Sequence, residues 1–210
     1  MNRENYTVTS FCPIPIFHTN IGVLDPITLA WIKNLDYPHE AAGHDHTDDK
    51  YILERPKLKN LKAELKATTD FWIHEVLGVQ DNVSYEITNS WINRHRRGEM
   101  NTIHWHSNAV MSCVYYPLTP PNSGNIIFKR SHLYYNLFHD TIRPEFKDTH
   151  TNQFNQDIHV ISPESGDLIM FPSHLEHLVV PNRVDAERYS LAFNLFPRGT
   201  FGAGTSSITV

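Results

Sequence analysis

From Asn82 onward the chain breaks into short β-type runs punctuated by turn residues, and no other feature restricts its fold so strongly. Runs rich in β-branched and aromatic residues occur at Val83 to Asn93, Val110 to Leu118, Asn125 to Lys129, His159 to Ser162, Asp167 to Phe171, Leu178 to Val180 and Ser190 to Phe196. Pro120-Pro121-Asn122-Ser123-Gly124 and Pro163-Glu164-Ser165-Gly166 separate them with hairpin-type turn chemistry. Short strands in such number predict a sandwich or closed barrel, and a double-sheet, cupin-like jelly roll fits best. The predicted class is mainly β with flanking α-helices.

The first part of the chain reads differently. Val8 to Phe17 is a short strand confined to a sheet edge by Pro13 and Pro15. Asp25-Pro26 caps a helix running to about Leu35, and Leu58, Leu61, Leu65, Phe71 and Val76 give helical periodicity over Lys57 to Val76, with Gly78 as the stop. Both helices are expected to pack against the outside of a sheet. The loop from Tyr37 to Lys50 carries His44-Asp45-His46, which reads as a solvated polar stretch. Ser131 to Asp157 is a long excursion without clear period; it and the His39 to Asp49 loop are candidate lids. One domain is expected over residues 1–210, with helical support over about 1–80 and a jelly-roll core over about 82–200. A chain of this length buries roughly 70% of its unfolded surface.

Composition narrows the partners. A net charge of -5 gives no broad basic footprint, although Arg94, His95, Arg96 and Arg97 cluster before Gly98, so no nucleic-acid partner is expected. Cys12 and Cys113 lack metal-type spacing, and no apolar run approaches the roughly 20 residues needed to cross a bilayer. The expectation is a reduced, cytoplasmic protein without a membrane partner, with a homodimer as the default assembly.

Histidine is the compositional outlier, at 14 residues. Residues i and i+2 of a strand share a face, so His104 and His106 can aim two imidazoles at one point and a later strand can add His177. His174 is the alternative to His177, and Asn108 is an alternative oxygen ligand two residues after His106. Two buried imidazoles without partners would cost on the order of 1 to 3 kcal/mol each, a cost that a metal removes. Arg188 and Ser190 again share a strand face, where guanidinium and hydroxyl can hold a carboxylate. Tyr115 and Tyr116 face opposite ways, so one of them can point a phenol at that acid, and Asn93 is a further polar candidate. A metal beside an acid clamp points to an oxygenase that uses a keto acid.

Several blocks in order carry a resemblance: His104-x-His106, Ser112-Cys113-Val114-Tyr115-Tyr116, Gly124-Asn125-Ile126-Ile127-Phe128, Gly166 to Ser173, His177, Pro181-Asn182, and Arg188-Tyr189-Ser190-Leu191-Ala192-Phe193-Asn194. Between about Ser90 and Phe196 the chain resembles the Fe(II)/2-oxoglutarate-dependent oxygenases, in particular the short ones of bacteria and phages, which would make the cytoplasm that of the host if the gene is a phage's. The resemblance implies a double-stranded β-helix holding Fe(II). His104 and His177 would be ligands, Arg188 and Ser190 would bind 2-oxoglutarate, and Tyr115 or Tyr116 would assist. It further implies O2 as a reactant, release of succinate and CO2, and hydroxylation of an unidentified small molecule or a peptide side chain such as proline. One departure stands out: the superfamily usually has His-x-Asp or His-x-Glu, and here His106 occupies the carboxylate position. Two alternatives follow, a cupin-like three-histidine metalloenzyme without 2-oxoglutarate and a non-catalytic jelly-roll binding module.

Overall fold

Asp25 opens the first helix as its side chain dictates. Its carboxylate accepts from the backbone amides of Ile27 at 3.0 Å and Thr28 at 2.9 Å, with Pro26 at the first helical position. The computed structural model describes residues 13–38, 43–130, 145, 152 and 155–210. Helix α1 spans Pro26–Lys33 and α2 spans Lys59–Phe71, the latter entered through a 3-10 turn at Pro56–Leu58 and extended by a π turn over Trp72–Val76. Gly78 stops it with φ +70°, a conformation open to glycine at little cost.

The strands are β1 (Phe17–Asn20), β2 (Asp45–His46), β3 (Val83–His95), β4 (Asn101–His104), β5 (Met111–Leu118), β6 (Ile126–Lys129), β7 (Ile158–Ile161), β8 (Asp167–Pro172), β9 (His177–Val179), β10 (Arg188–Phe201) and β11 (Ile208–Thr209). They form two sheets, a larger one in the order β1-β8-β5-β10-β3-β2 and a smaller one in the order β4-β9-β6-β7, with β11 added to β10. Every pairing between these strands is antiparallel. This is the expected jelly roll. The proline-broken strand expected at Val8 to Phe17 lies partly outside the described residues; β1 begins at Phe17 and occupies a sheet edge. Most of the Ser131 to Asp157 excursion also lies outside them, as does part of the His39 to Asp49 loop.

Period-two alternation decides what each central strand touches. In β8, Leu168 and Met170 turn outward into the cluster that holds Leu58, Leu61 and Leu65, while Ile169 and Phe171 turn inward toward Ile126, Phe128 and Leu175 between the sheets. Both faces are buried, which explains an apolar run without alternation. Each fully buried side chain of this kind contributes about 1.5–3 kcal/mol. The same rule separates Tyr115, in the outer cluster, from Tyr116, in the inner one.

Strand β10 reaches further than the local sequence predicts, from Arg188 through Phe201, because it pairs on one side with β3 and on the other with β5. Shared ladders carry it through polar and proline-containing ends that strand propensity alone does not credit. Among the described residues no helix is long and apolar enough to cross a membrane.

Candidate active site

His104 is the last residue of β4, His177 is the first of β9, and the two stand opposite each other in the small sheet. Their ring centroids lie 4.3 Å apart, and His106 adds a third ring 5.2 Å from each. One ligand atom from each of the three lies within 4.8 Å of the others, a grouping that can hold a metal ion. The route differs from the one expected. His104 and His106 do not share one strand face, since β4 ends at His104, and His106 is instead held by its backbone amide donating to Ser173 O at 2.9 Å. Asn108, with φ +58°, turns the chain from the small sheet toward β5 of the large one.

The tautomers fit a metal. His104 Nδ1 pairs with Thr102 O at 2.7 Å and His177 Nδ1 with Leu175 O at 2.9 Å, so each ring donates through Nδ1 and offers the Nε2 lone pair. Burial, followed by the neighbouring His104, pushes the His177 pKa down to about 3 and that of His106 to about 4. Both rings are therefore neutral near pH 7, as ligation requires. His174 is exposed, whereas His177 is buried in the cluster. Asn108 is exposed and outside the cavity lining.

These depressed values carry a stability consequence. Below pH 6.5 the unfolded chain takes up protons that buried His95 and His177 and half-buried His106 resist, so the folded state loses ground as pH falls from about 6.5 toward 3. Thermal melts of metal-free protein should therefore show a decline beginning near pH 6.5. A melting temperature flat down to about pH 4.5 would refute it.

Arg188 and Ser190 lie on the same face of β10, directly opposite His95 and Asn93 of β3. With the three histidines they line one cavity of about 300 Å³, whose walls include Val114, Tyr116, Ile126, Val179 and Ala192. Arg188 is 1% exposed. Its Nη1 donates to Gly124 O at 3.1 Å and Ser123 O at 3.4 Å, while Nε is buried without a hydrogen-bond partner. It forms no ion pair among the described residues. Burial pulls its pKa below the ordinary value. A buried guanidinium with an open edge is costly unless an anion meets it, and a carboxylate matches that fork.

Of the two tyrosines, Tyr116 faces the cavity. Tyr115 is corrected: its hydroxyl donates to Gly22 O at 2.9 Å in the outer core, because adjacent residues of a strand point to opposite faces. Burial raises the Tyr116 phenol to about 12, which keeps it a neutral donor. Asn93 lines the cavity and accepts from Trp91 Nε1 at 3.1 Å through Oδ1, leaving its NH2 to donate. Trp91, Asn101, Thr102 and His44 also line the cavity and were not anticipated.

The His44-Asp45-His46 stretch is corrected too. Its residues are 8%, 0% and 9% exposed, because Asp45 receives Arg94 Nη2 at 2.6 Å and Arg96 Nη2 at 3.0 Å. Arg97 pairs with Asp185 at 3.1 Å, so these three arginines of the basic cluster are all committed to acids.

Two further devices hold the site. Ser112 Oγ donates to Asn194 Oδ1 at 2.8 Å and meets Ser173 Oγ at 2.9 Å, a buried network that braces the turn holding His106. Gly124 has φ +107°, and a Cβ there would stand 2.4 Å from Val180 O and 3.1 Å from Arg188 Nη1. Gly124→Ala should therefore cost about 2–4 kcal/mol and displace Arg188. An unaltered melting temperature would contradict this.

The sequence profile of the 2OG-Fe(II) oxygenase family matches residues 89–194, which contain every histidine of the cluster together with Arg188 and Ser190. The chain belongs to the 2OG-Fe(II) oxygenase family. This is a family of Fe(II)- and 2-oxoglutarate-dependent oxygenases, so Fe(II) is the cofactor and 2-oxoglutarate the cosubstrate. Solved 2OG-Fe(II) oxygenases share the fold. An oxidoreductase of the family from Burkholderia pseudomallei is 17% identical over 86% of this chain and 84% of its own, with a TM-score of 0.58. A Pseudomonas putida prolyl-4-hydroxylase is 14% identical, covering 89% and 94%, with a TM-score of 0.54. HygX from Streptomyces hygroscopicus, solved with nickel and 2-oxoglutarate bound, is 14% identical, covering 87% and 82%, also with a TM-score of 0.54. No curated protein matches the chain.

Proposed function

We propose that this oxygenase hydroxylates a small-molecule or peptide substrate, a prolyl side chain being one candidate, with His104, His106 and His177 as the iron ligands and Arg188 and Ser190 as the clamp for 2-oxoglutarate. The observation that carries the reading is the unpaired edge of a buried guanidinium sharing one cavity with three convergent imidazoles. The fold shared with a prolyl-4-hydroxylase makes a prolyl peptide a natural first substrate to try.

Bound together, Fe(II) and 2-oxoglutarate supply the oxidation of an unactivated C–H bond by O2, with succinate and CO2 as by-products. The chain's own part is to position and to exclude water. Arg188 meets the distal carboxylate with its Nε–Nη2 edge while Ser123 O and Gly124 O hold Nη1 in place, and Ser190 adds a hydroxyl. Tyr116 and Asn93 add a neutral phenol and an amide NH2 as donors along the same wall. Val114, Ile126, Val179 and Ala192 line the rest, keeping dielectric low where charge must be held.

The neutral three-histidine set favours a second reading, a cupin-like metalloenzyme that ignores 2-oxoglutarate. Anaerobic titration of Fe(II)-loaded protein with 2-oxoglutarate separates the two. Our reading expects the visible charge-transfer band of a chelated keto acid; iron binding without the band sinks it in favour of the second, and no iron binding sinks both.

A further inference from the structure

His44 belongs to a stretch that looks like solvated loop and is instead built into the wall of the cavity. Its ring stacks on that of His95, with centroids 4.9 Å apart and planes inclined by 1°. Asn101 ties the two together, donating through Nδ2 to His44 Nε2 at 3.3 Å and accepting from His95 Nε2 through Oδ1. All three are buried or half-buried, and His44 and Asn101 line the cavity. The holder is rigid: Met100 N donates to Gly43 O at 3.1 Å, and Asp45, 0% exposed, is clasped by two arginines.

Their place in the cavity follows from the register. His95 is the last residue of β3 and stands directly opposite Arg188, the first residue of β10, so the two side chains share a face. Asn101 is the first residue of β4 and His104 the last. An extra residue in β4 where it pairs with β9 turns both Asn101 and His104 toward the cavity despite their odd spacing. They stand opposite Val179 and His177, two residues apart in β9, so roughly 7 Å of strand separates them. The histidine pair thus stands at the Arg188 end, and the metal-type cluster at the other.

We infer that His44 and Asn101, backed by His95, are the end wall that measures the length of the keto acid, admitting a five-carbon diacid and rejecting its longer homologue. This rests on the clamp assignment made above for Arg188. The wall is made of aromatic rings in parallel contact and of a side-chain amide whose oxygen and nitrogen are both engaged, so it cannot yield by a simple rotamer change. With its ends held at Arg188 and at the histidine cluster, a diacid one methylene longer would have to bow outward, against the wall that His44 and Asn101 line.

The test is calorimetric titration of nickel-loaded, full-length protein with 2-oxoglutarate and with 2-oxoadipate, one methylene longer. Wild type should prefer 2-oxoglutarate by about tenfold or more, the usual scale for one methylene against a fitted wall. His44→Ala and Asn101→Ala should each shrink that preference to about threefold or less, with a gain for 2-oxoadipate. Unchanged preference in both variants, or equal loss of both acids in both, overturns the wall. If His44→Ala does not fold, as a melt would reveal, the milder Asn101→Ala decides by the same criterion. Arg188→Ala, titrated alongside, separates the two claims: undiminished binding of 2-oxoglutarate there removes the clamp itself, whereas weakened binding there with unchanged preference in the wall variants removes only the wall.

Discussion

Arg188→Ala is expected to weaken 2-oxoglutarate binding by about two to three orders of magnitude, the usual consequence of removing one partner of a buried, hydrogen-bonded charge pair at about 3–4 kcal/mol. The guanidinium is 1% exposed, its Nε has no partner and its Nη1 is already held by two carbonyls, and among the described residues no other lysine or arginine lines the cavity to replace it. Iron binding should persist, because the imidazoles come from β4, from β9 and from the turn after β4. The charge-transfer titration reads both quantities in one experiment. Full-strength binding of 2-oxoglutarate in the variant would remove Arg188 from the site. Arg188→Lys should fail nearly as badly, since an ammonium cannot present two parallel donors.

The second large effect is expected at His177. His177→Ala should lower metal affinity by at least about two orders of magnitude, since a metal held by a few protein ligands draws several kcal/mol from each. A second readout distinguishes ligand loss from general damage. His177 is buried against Phe171 at 4.7 Å and Phe128 at 6.0 Å and resists protonation. Its removal should therefore flatten the acid side of the stability profile of metal-free protein, below about pH 6.5. Unchanged metal affinity would exclude His177 as a ligand; an unchanged acid slope would show that its pKa is not depressed by burial.

How much of this was legible depends on whether the deciding contact is local. The inward and outward faces of β8 and the opposed placement of Tyr115 and Tyr116 follow from strand periodicity within a few residues. The same holds for the helix begun by Asp25, whose cap is a contact two and three residues away. Strand β4 was not legible. Its four residues Asn101-Thr102-Ile103-His104 carry little β pattern and are strands only through pairing with β9. His106 shows a hybrid case: its nearness to His104 is local, but its orientation depends on Ser173, whose own position depends on Ser112 and Asn194.

The polar stretch at His44 failed for a clear reason. Asp45 reads as solvent-facing because nothing near it in sequence neutralises it, and it becomes fully buried because Arg94, 49 residues away, and Arg96, 51 residues away, close on it. Local hydrophilicity cannot report a partner at that distance.

The amino-acid sequence by itself determined the jelly-roll class, the helices that flank it and the residue types of an oxygenase site, because strand period, helix caps and turn chemistry are short-range and each acts within a turn or a strand. Tertiary structure alone decided which residues share the cavity: that Tyr116 enters it and Tyr115 does not, that Arg188 is left with an open edge, and that His44 stands beside it. Those outcomes are set by strand register and by ion pairs between segments far apart in the chain, which exist only once the two sheets have closed on each other.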